Sequence, residues 1–157
     1  MNLPQRKVEY RVDDFLLWEQ AQPERHEFID GEVFAMVGVS DAHAAVALNL
    51  SAALLPHVRG KACRLYPSDM KLAVDAVNCI FYPGLFVSCD SRDQGRDAAY
   101  VKRHPLLVIE ILSKSTEAYD RGAKFAAYRS LTSLQEYVLV SPRLRTVEVF
   151  RRDATGH

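Results

Sequence analysis

The spacing of apolar and polar positions divides the beginning of the chain into a helix and a strand pair. In RVDDFLLWEQ, two aspartates precede apolar residues, a pattern that predicts a short helix ending before Pro23. In HEFIDGEVFAMV, the pair Asp30 and Gly31 separates two apolar-rich runs. Such a pair between apolar runs is the strongest short-range signal for a β-hairpin with a two-residue turn.

The next segment, AHAAVALNLSAALLPHV, is rich in Ala and Leu and predicts the longest helix of the chain. Either Ser40 or Asp41 is expected to cap its beginning, because both side chains can accept a backbone N–H of the first turn. Either Pro56 or Gly60 is expected to close it.

Between residues 62 and 112 the pattern changes to three strands, in CRLYPSDMKLAV, NCIFYPGLFVSC and LLVIEIL. Helical spacing returns in SKSTEAYDRGAKFAAYRSL, with Ser115 or Thr116 as cap and an inner side formed by Ala123, Ala126, Ala127 and Leu131. EYVLVSP and TVEVFRRD are the last two strands. The order predicts one α/β domain over residues 1–157, with a mixed β-sheet flanked by helices. The final turn, DATGH, has no returning strand, so we expect that a C-terminal segment is missing.

The composition is that of a globular protein of 157 residues, with 48% apolar and 25% charged residues. No apolar run approaches the length of a membrane span, and the polar N-terminus is not a secretory signal. We therefore expect a cytoplasmic protein without a membrane partner. Cys63, Cys79 and Cys89 lie in apolar segments at no metal-finger spacing, and we interpret them as buried small side chains rather than redox or zinc-binding groups.

Twenty basic and twenty acidic residues give a formal net charge of zero. This excludes binding of nucleic acid through the charge of the whole surface. Local basic groups occur in VKRHP, in DRGAKFAAYR, and in the RLR and RR pairs near the end of the chain. Each is interpreted as a solvated face rather than a phosphate site.

One carboxylate, Glu110, interrupts the apolar run LLVIEILS. Such a run predicts a central strand covered on both sides, where a carboxylate requires a partner, a metal or access to water. A strand-end Glu paired with Lys or Arg is the alternative. In the following helix Asp120, Lys124 and Tyr128 share one face because they are four residues apart. A surface ion pair would explain that face alone, but a cation beside a strand carboxylate is what phosphodiester hydrolysis requires.

Five motifs extend this interpretation: RHEFIDGEVFAM, SDAH, YPGLFV, LLVIEILSKST, and YDRGAKFAAYRSL followed by EYVLVSP. With these motifs the chain, from about Tyr10 to its end, resembles the Uma-type restriction endonucleases, a branch of the PD-(D/E)XK nuclease superfamily. The resemblance implies a restriction-endonuclease-like core of a helix, three strands, a helix and a strand. It also implies hydrolysis of DNA phosphodiesters with Mg²⁺ or a similar ion such as Mn²⁺.

The resemblance assigns the central residues of the site. Glu110 matches the strand carboxylate, which is usually a metal ligand. The strand position expected to hold Lys is Leu112 in this chain, so the Lys function falls to Lys124. Gly84 follows Pro83 at the position where the family has a metal-binding Asp.

The resemblance also points to Glu27, the acidic residue before the hairpin, and to His43 at the start of the long helix. Each would complete the metal or water site, although an outward hairpin residue and a helix-end His are open alternatives. Asp69 faces the same cleft as a metal ligand or is an ordinary turn residue. The expected catalytic residues are thus Glu110, Lys124, Glu27 and His43, and the expected metal site comprises Glu110, Glu27, Asp69 and the position of Gly84.

Loss of the Asp at position 84 predicts weak or absent binding of Mg²⁺ or Mn²⁺ and impaired cleavage. Three hypotheses follow. The chain is a metal-dependent DNA endonuclease, impaired as written; or a non-catalytic DNA-binding protein that keeps the groove; or an interaction protein, such as a homodimer, with a degenerate nuclease fold.

Overall fold

The computed structural model describes residues 10–157, so the polar N-terminal segment considered above lies almost wholly outside it. The helices are α1 (Val12–Glu19), α2 (Asp41–Val58), α3 (Glu117–Arg121) and α4 (Ala123–Arg129). The strands are β1 (His26–Ile29), β2 (Glu32–Ala35), β3 (Arg64–Pro67), β4 (Lys71–Val74), β5 (Cys79–Phe81), β6 (Leu85–Ser88), β7 (Val101–Lys102), β8 (Pro105–Ile111), β9 (Glu136–Ser141) and β10 (Thr146–Arg151). Single turns of 3-10 helix cover 75–77, 91–93 and 96–98.

The strands form two five-stranded sheets, ordered β2-β1-β5-β4-β7 and β10-β9-β8-β6-β3. The β4–β7 and β8–β9 pairs are parallel and the other pairs are antiparallel. The predicted α/β class with mixed sheets flanked by helices is confirmed. The strands divide between two sheets, however, where we expected one.

The division follows from two breaks inside predicted strands. A turn at Ser68 and Asp69 separates β3 from β4, and Pro83 and Gly84 separate β5 from β6. At each break the chain passes from one sheet to the other. Pro83 suits such a crossing because proline has no N–H to donate to a strand ladder.

The first helix and the hairpin are confirmed. Phe15 of α1 is buried and stacks on Phe28 of β1, with ring centroids 5.0 Å apart. Asp30 and Gly31 have φ values of 43° and 94°. Positive φ at both central residues is the requirement of a type I′ turn, which explains why an Asp-Gly pair connects β1 and β2.

Helix α2 is the longest, as predicted, and Ser40 is its N-cap, with its hydroxyl accepting the His43 N–H at 3.1 Å. The helix continues past Pro56, so of the two predicted ends Gly60 is the correct one, with a φ of 73°. Positive φ after the last helical turn is typical of a glycine that ends a helix. The apolar side of α2 packs on the β8, β9 and β6 side chains of the second sheet through Val46, Leu50 and Leu54.

The third predicted helix is broken at Gly122 into α3 and α4, and Thr116 rather than Ser115 precedes the first turn. The predicted inner side is correct in part. Ala127 and Leu131 are half-buried and pack against the core, whereas Ala123 and Ala126 are exposed. Lys124 and Tyr128 are buried instead. Hydrophobic spacing predicts that alanines rather than a lysine face inward, because it contains no information about carboxylates elsewhere in the chain that neutralise a buried lysine.

The interpretation of the cysteines was wrong for two of the three. Cys63 and Cys89 form a disulfide, while Cys79 is a buried free thiol as expected. The antiparallel register pairs Arg64 of β3 with Ser88 of β6, which places the two flanking cysteines opposite each other. Which strand pairs with β3 is decided by the tertiary structure, so the spacing of the cysteines in the sequence did not indicate this disulfide.

Among residues 10–157, no helix combines the length and the apolar character needed to cross a membrane.

Candidate active site

Four charged residues meet where the two sheets and the α3–α4 segment come together. We call Glu27, Glu110, Asp120 and Lys124 the carboxylate–lysine cluster. Glu110 lies on β8, in the middle of the second sheet, with a side chain 5% exposed. Glu27 comes from β1 in the first sheet, Asp120 from α3 and Lys124 from α4. The predicted covered strand carboxylate and the predicted shared helix face are thus both present.

Lys124 is the centre of the cluster. Its Nζ lies 2.5 Å from Glu110 Oε2, 3.1 Å from Glu27 Oε1 and 3.6 Å from Asp120 Oδ1, with only 7% of the side chain exposed. Burial disfavours the ammonium, but the attraction of the three carboxylates prevails and raises the pKa of Lys124 well above its ordinary value. The lysine is therefore charged throughout the physiological pH range.

The pKa values of the two flanking carboxylates, Glu27 and Asp120, are both raised. Burial raises the pKa of Glu27, with a further contribution from repulsion by Glu110, and Lys124 opposes both. Burial, together with repulsion by Glu110, raises the pKa of Asp120 to about 7. The hydroxyl of Thr116 donates to Asp120 Oδ2 at 3.0 Å. Asp120 therefore exchanges a proton near neutral pH.

Gly84 borders this cluster directly. Its N–H donates to Glu110 Oε1 at 2.9 Å, so position 84 lies beside the strand carboxylate, where the resemblance places the second metal ligand. A Cβ at this position would lie 3.0 Å from the carbonyl oxygen of Ile109 and 3.4 Å from the backbone nitrogen of Ile111. Any side chain here therefore requires the neighbouring strand to move by a few tenths of an ångström.

The donor set does not fit the divalent ion that the fold family implies. Both oxygens of Glu110 already accept N–H donors, from Gly84 and from Lys124. Within residues 10–157, no group of three or more His, Cys, Asp or Glu side chains is arranged to hold a metal. Mg²⁺ requires nearly octahedral oxygen ligands at about 2.1 Å. The ammonium of Lys124 instead supplies the positive charge that the three carboxylates require.

Two predicted site residues are not brought to the cluster. The ring of His43 is half-buried in the first turn of α2, and among the described residues it makes no hydrogen bond to any member of the cluster. Asp69 lies in the β3–β4 turn with a side chain 86% exposed and pairs with Arg25 at 3.0 Å. The prediction that Asp69 faces the cleft was wrong, and the turn alternative is correct, because the chain reverses at this point on the surface.

Sequence analysis missed two contributions to the site. Asp120 was considered only as a partner of Lys124, although its step of four from Lys124 was the available signal. A buried network also precedes Glu27 in the chain: Glu19 accepts the N–H of His26, the residue before Glu27, at 2.8 Å and the Tyr82 hydroxyl at 3.1 Å. No local pattern could predict this network, since Glu19 and Tyr82 are 63 residues apart.

Comparisons with known proteins show which proteins this chain is similar to. The Uma2 family model, described as "Putative restriction endonuclease", matches residues 12–157. A Synechocystis sp. protein named "Uncharacterized protein slr1290" is 37% identical over 144 residues, which cover 92% of this chain and 75% of that protein. A second Synechocystis sp. protein, "Uncharacterized protein sll1609", is 30% identical over 139 residues, covering 88% and 78%.

A solved structure has a similar fold. The crystal structure of "a putative nuclease belonging to DUF820" from Anabaena variabilis ATCC 29413 superposes with a TM-score of 0.70 at 21% identity, covering 90% of this chain and 79% of that chain. At this identity the likeness establishes the fold alone, and it agrees with the restriction-endonuclease-like core expected from the sequence.

Proposed function

The chain belongs to the Uma2 family of restriction-endonuclease-like proteins, and from this premise we propose that it is a DNA endonuclease impaired by the glycine at position 84. One observation carries the proposal. The Gly84 N–H contacts Glu110 at 2.9 Å, on the side of that carboxylate opposite Lys124. A carboxylate at position 84 would therefore lie within the same cluster, and this chain lacks it.

The residues that are present supply part of what phosphodiester hydrolysis needs. The ammonium of Lys124 is a fixed positive charge, the kind of group that stabilises negative charge developing in phosphodiester hydrolysis. Asp120, with a pKa of about 7, accepts or releases a proton near neutral pH. The cluster is nevertheless neutralised from within, and its donor set does not fit a divalent ion. We therefore expect cleavage to be weak or absent in the chain as written.

The test is cleavage of supercoiled plasmid DNA in the presence of Mg²⁺ or Mn²⁺. We expect no cleavage by the natural chain, nicking by Gly84→Asp, and no cleavage by Gly84→Asp combined with Glu110→Ala. Gly84→Ala is the matched control, because its Cβ meets the Ile109 carbonyl at the same 3.0 Å without adding a carboxylate. If Gly84→Asp is folded by circular dichroism and cleaves nothing at any metal concentration, the endonuclease proposal is wrong.

A non-catalytic DNA-binding protein is the second candidate. It is favoured by the internal neutralisation of Lys124, whose ammonium lies within 3.6 Å of three carboxylates. This candidate predicts DNA binding that weakens steeply between 50 and 200 mM salt and does not respond to Mg²⁺, because phosphate contacts depend on released counterions. If neither the natural chain nor Gly84→Asp binds DNA, the third hypothesis, an interaction protein such as a homodimer, is the one supported.

A further inference from the structure

A shallow pocket of about 350 Å³ lies beside α4, between that helix, the segment entering β9, and β10. The side chains important for its chemistry are Phe125, Arg129, Gln135, Tyr137, Phe150 and Arg152. The pocket brings together two of the basic groups that the sequence alone assigned to solvated faces, the Arg of DRGAKFAAYR and the RR pair. These groups are 22 residues apart in the chain, from 129 to 151, and β10 returns the second to the first.

Aromatic rings form the apolar wall of the pocket. Phe125 stacks on Tyr137 with ring centroids 4.6 Å apart and an interplanar angle of 18°. Phe150 of β10 lies 5.0 Å from Phe125 and is 38% exposed. An exposed ring that is held by neighbouring rings offers a rigid surface to a planar ligand. The ring therefore loses little conformational freedom when the ligand stacks on it.

Positive charge borders the same wall. The guanidinium of Arg129 lies 4.6 Å above the Phe125 ring. In the described part of the chain no carboxylate lies within ion-pair distance of Arg129, whereas Glu136 is engaged by Arg151 at 3.5 Å. Arg152 is fixed at the end of α4 by donating to the Arg129 carbonyl at 2.7 Å. An anionic ligand would therefore find a charge at Arg129 that the protein itself does not neutralise.

Gln135 adds a hydrogen-bonding edge. Its backbone N–H donates to Leu106 and its carbonyl accepts the Arg152 N–H, each at 2.9 Å. Its side-chain amide is exposed and, among residues 10–157, makes no hydrogen bond. An amide both donates and accepts, which is the pattern that pairs with the edge of a nucleobase.

We propose that this pocket binds an unpaired nucleotide of a nucleic-acid strand, with its base on Phe150, its base edge at Gln135 and its phosphate at Arg129. A nucleotide combines the three properties that the pocket matches: an aromatic plane, a hydrogen-bonding edge and a negative charge. The volume is at the small end of the range for ligand sites and corresponds to one base rather than to a duplex.

The inference rests on the proposed function, because α4 carries both Lys124 of the carboxylate–lysine cluster and the Phe125 and Arg129 of the pocket. A free nucleotide presents the same chemistry, so the experiment must distinguish a nucleotide within a strand from a free one.

The test is fluorescence anisotropy with a labelled single-stranded oligonucleotide, a duplex of the same sequence, and the single strand with abasic sites, each in competition with AMP. We expect the intact single strand to bind tightest and AMP to displace it only at much higher concentration. Arg129→Gln and Phe150→Leu should each weaken single-strand binding about tenfold, the usual effect of losing a phosphate contact or a stacked base. Phe150→Leu keeps the apolar volume and removes only the aromatic face.

Arg143→Gln is the matched control, since it removes the same charge from an arginine 67% exposed and outside the pocket. It should change the affinity less than twofold. Equal weakening by Arg129→Gln and Arg143→Gln, equal binding of the abasic strand, or no binding by the natural chain would each overturn the proposal. If AMP displaces the strand at a concentration similar to that at which the strand itself binds, the ligand of the pocket is a free nucleotide rather than a nucleotide within a strand.

The outcome is independent of the cleavage test. If the chain binds single strands as expected while a folded Gly84→Asp variant cleaves no DNA, the endonuclease proposal is wrong and the pocket proposal stands. If Gly84→Asp nicks DNA but the chain shows no preference for single strands, the pocket proposal is wrong and the endonuclease proposal stands.

Discussion

At the scale of single residues, Lys124 determines whether the buried charges of this protein are tolerated. Its ammonium contacts Glu110 at 2.5 Å and Glu27 at 3.1 Å in a site that excludes most water. Removing one partner of a buried ion pair leaves the other charge without compensation, which is the main cost of such a substitution. The lysine therefore has a structural role whatever its role in catalysis.

We expect Lys124→Ala to lower the free energy of unfolding by about 3–5 kcal/mol, measured by urea denaturation. Lys114→Ala is the control, because Lys114 is exposed and should change stability by less than about 0.5 kcal/mol. Equal stabilities of the two variants would show that the cluster does not depend on Lys124. Loss of DNA binding in Lys124→Ala would not by itself identify a DNA contact, because the lysine is buried.

Asp120 makes the stability depend on pH. Its pKa is raised from 3.8 to about 7, mainly by burial, so the folded protein retains a proton that the unfolded chain releases. The resulting stabilisation is complete below pH 3.8 and is lost as the pH rises through 7. Between pH 5 and 8 the unfolding free energy should fall by on the order of 3 kcal/mol relative to Asp120→Asn, which stays neutral. Urea denaturation in a chelating buffer measures the unfolding free energy of the natural chain and of Asp120→Asn at each pH. Parallel pH profiles of the two proteins would contradict the prediction.

At the scale of elements, the breaks in the predicted strands create the site. Pro83 and Gly84 carry the chain from the first sheet, which holds Glu27, to the second, which holds Glu110. A continuous strand in their place would keep both halves in one sheet. The Pro-Gly pair weakens a strand, and it also places the Gly84 N–H where it donates to Glu110.

The end of α2 offers a test of backbone conformation without steric interference. A Cβ added at Gly60 or at Gly95 would meet no atom within 4 Å, but Gly60 has a φ of 73° and Gly95 a φ of −76°. Gly60→Ala should lower the unfolding free energy by about 1 kcal/mol, because a Cβ disfavours the left-handed region. Gly95→Ala should leave it unchanged or raise it by up to about 1 kcal/mol by restricting the unfolded chain. Similar losses in both variants would contradict the assignment of Gly60 as the helix-ending residue.

At the scale of the whole molecule, the Cys63–Cys89 disulfide fixes β3 to β6 at the edge of the second sheet. It joins residues separated by 26 positions. Closing a loop of this length restricts the unfolded chain and stabilises the fold by about 3 kcal/mol.

A reductant should therefore lower the unfolding free energy of the natural protein by about 3 kcal/mol and leave the double variant Cys63→Ser, Cys89→Ser unaffected. The two proteins should have equal stability in reductant. Thiol titration of the unfolded natural chain provides a second measurement, since one free thiol is expected without reductant and three with it. Three free thiols without reductant would contradict the disulfide.

The sequence by itself determined the features that depend on neighbours along the chain. Asp30 and Gly31 specified the hairpin because few residues adopt positive φ. Ser40 specified the start of α2 because its hydroxyl reaches a backbone N–H three residues away. The covered position of Glu110 and the shared face of Asp120 and Lys124 followed from an apolar run and a spacing of four. The resemblance of the motifs supplied the family, which the family model confirmed.

Only the tertiary structure decided how distant segments meet. The contact between Lys124 and Glu27 joins residues 97 positions apart, and the disulfide depends on which strand lies beside β3. The exposure of Asp69 and the inward position of Lys124 likewise depend on groups far along the chain. Local spacing carries no information about such partners, and the cost of burying a charge is known only once the opposite charges that surround it are in place.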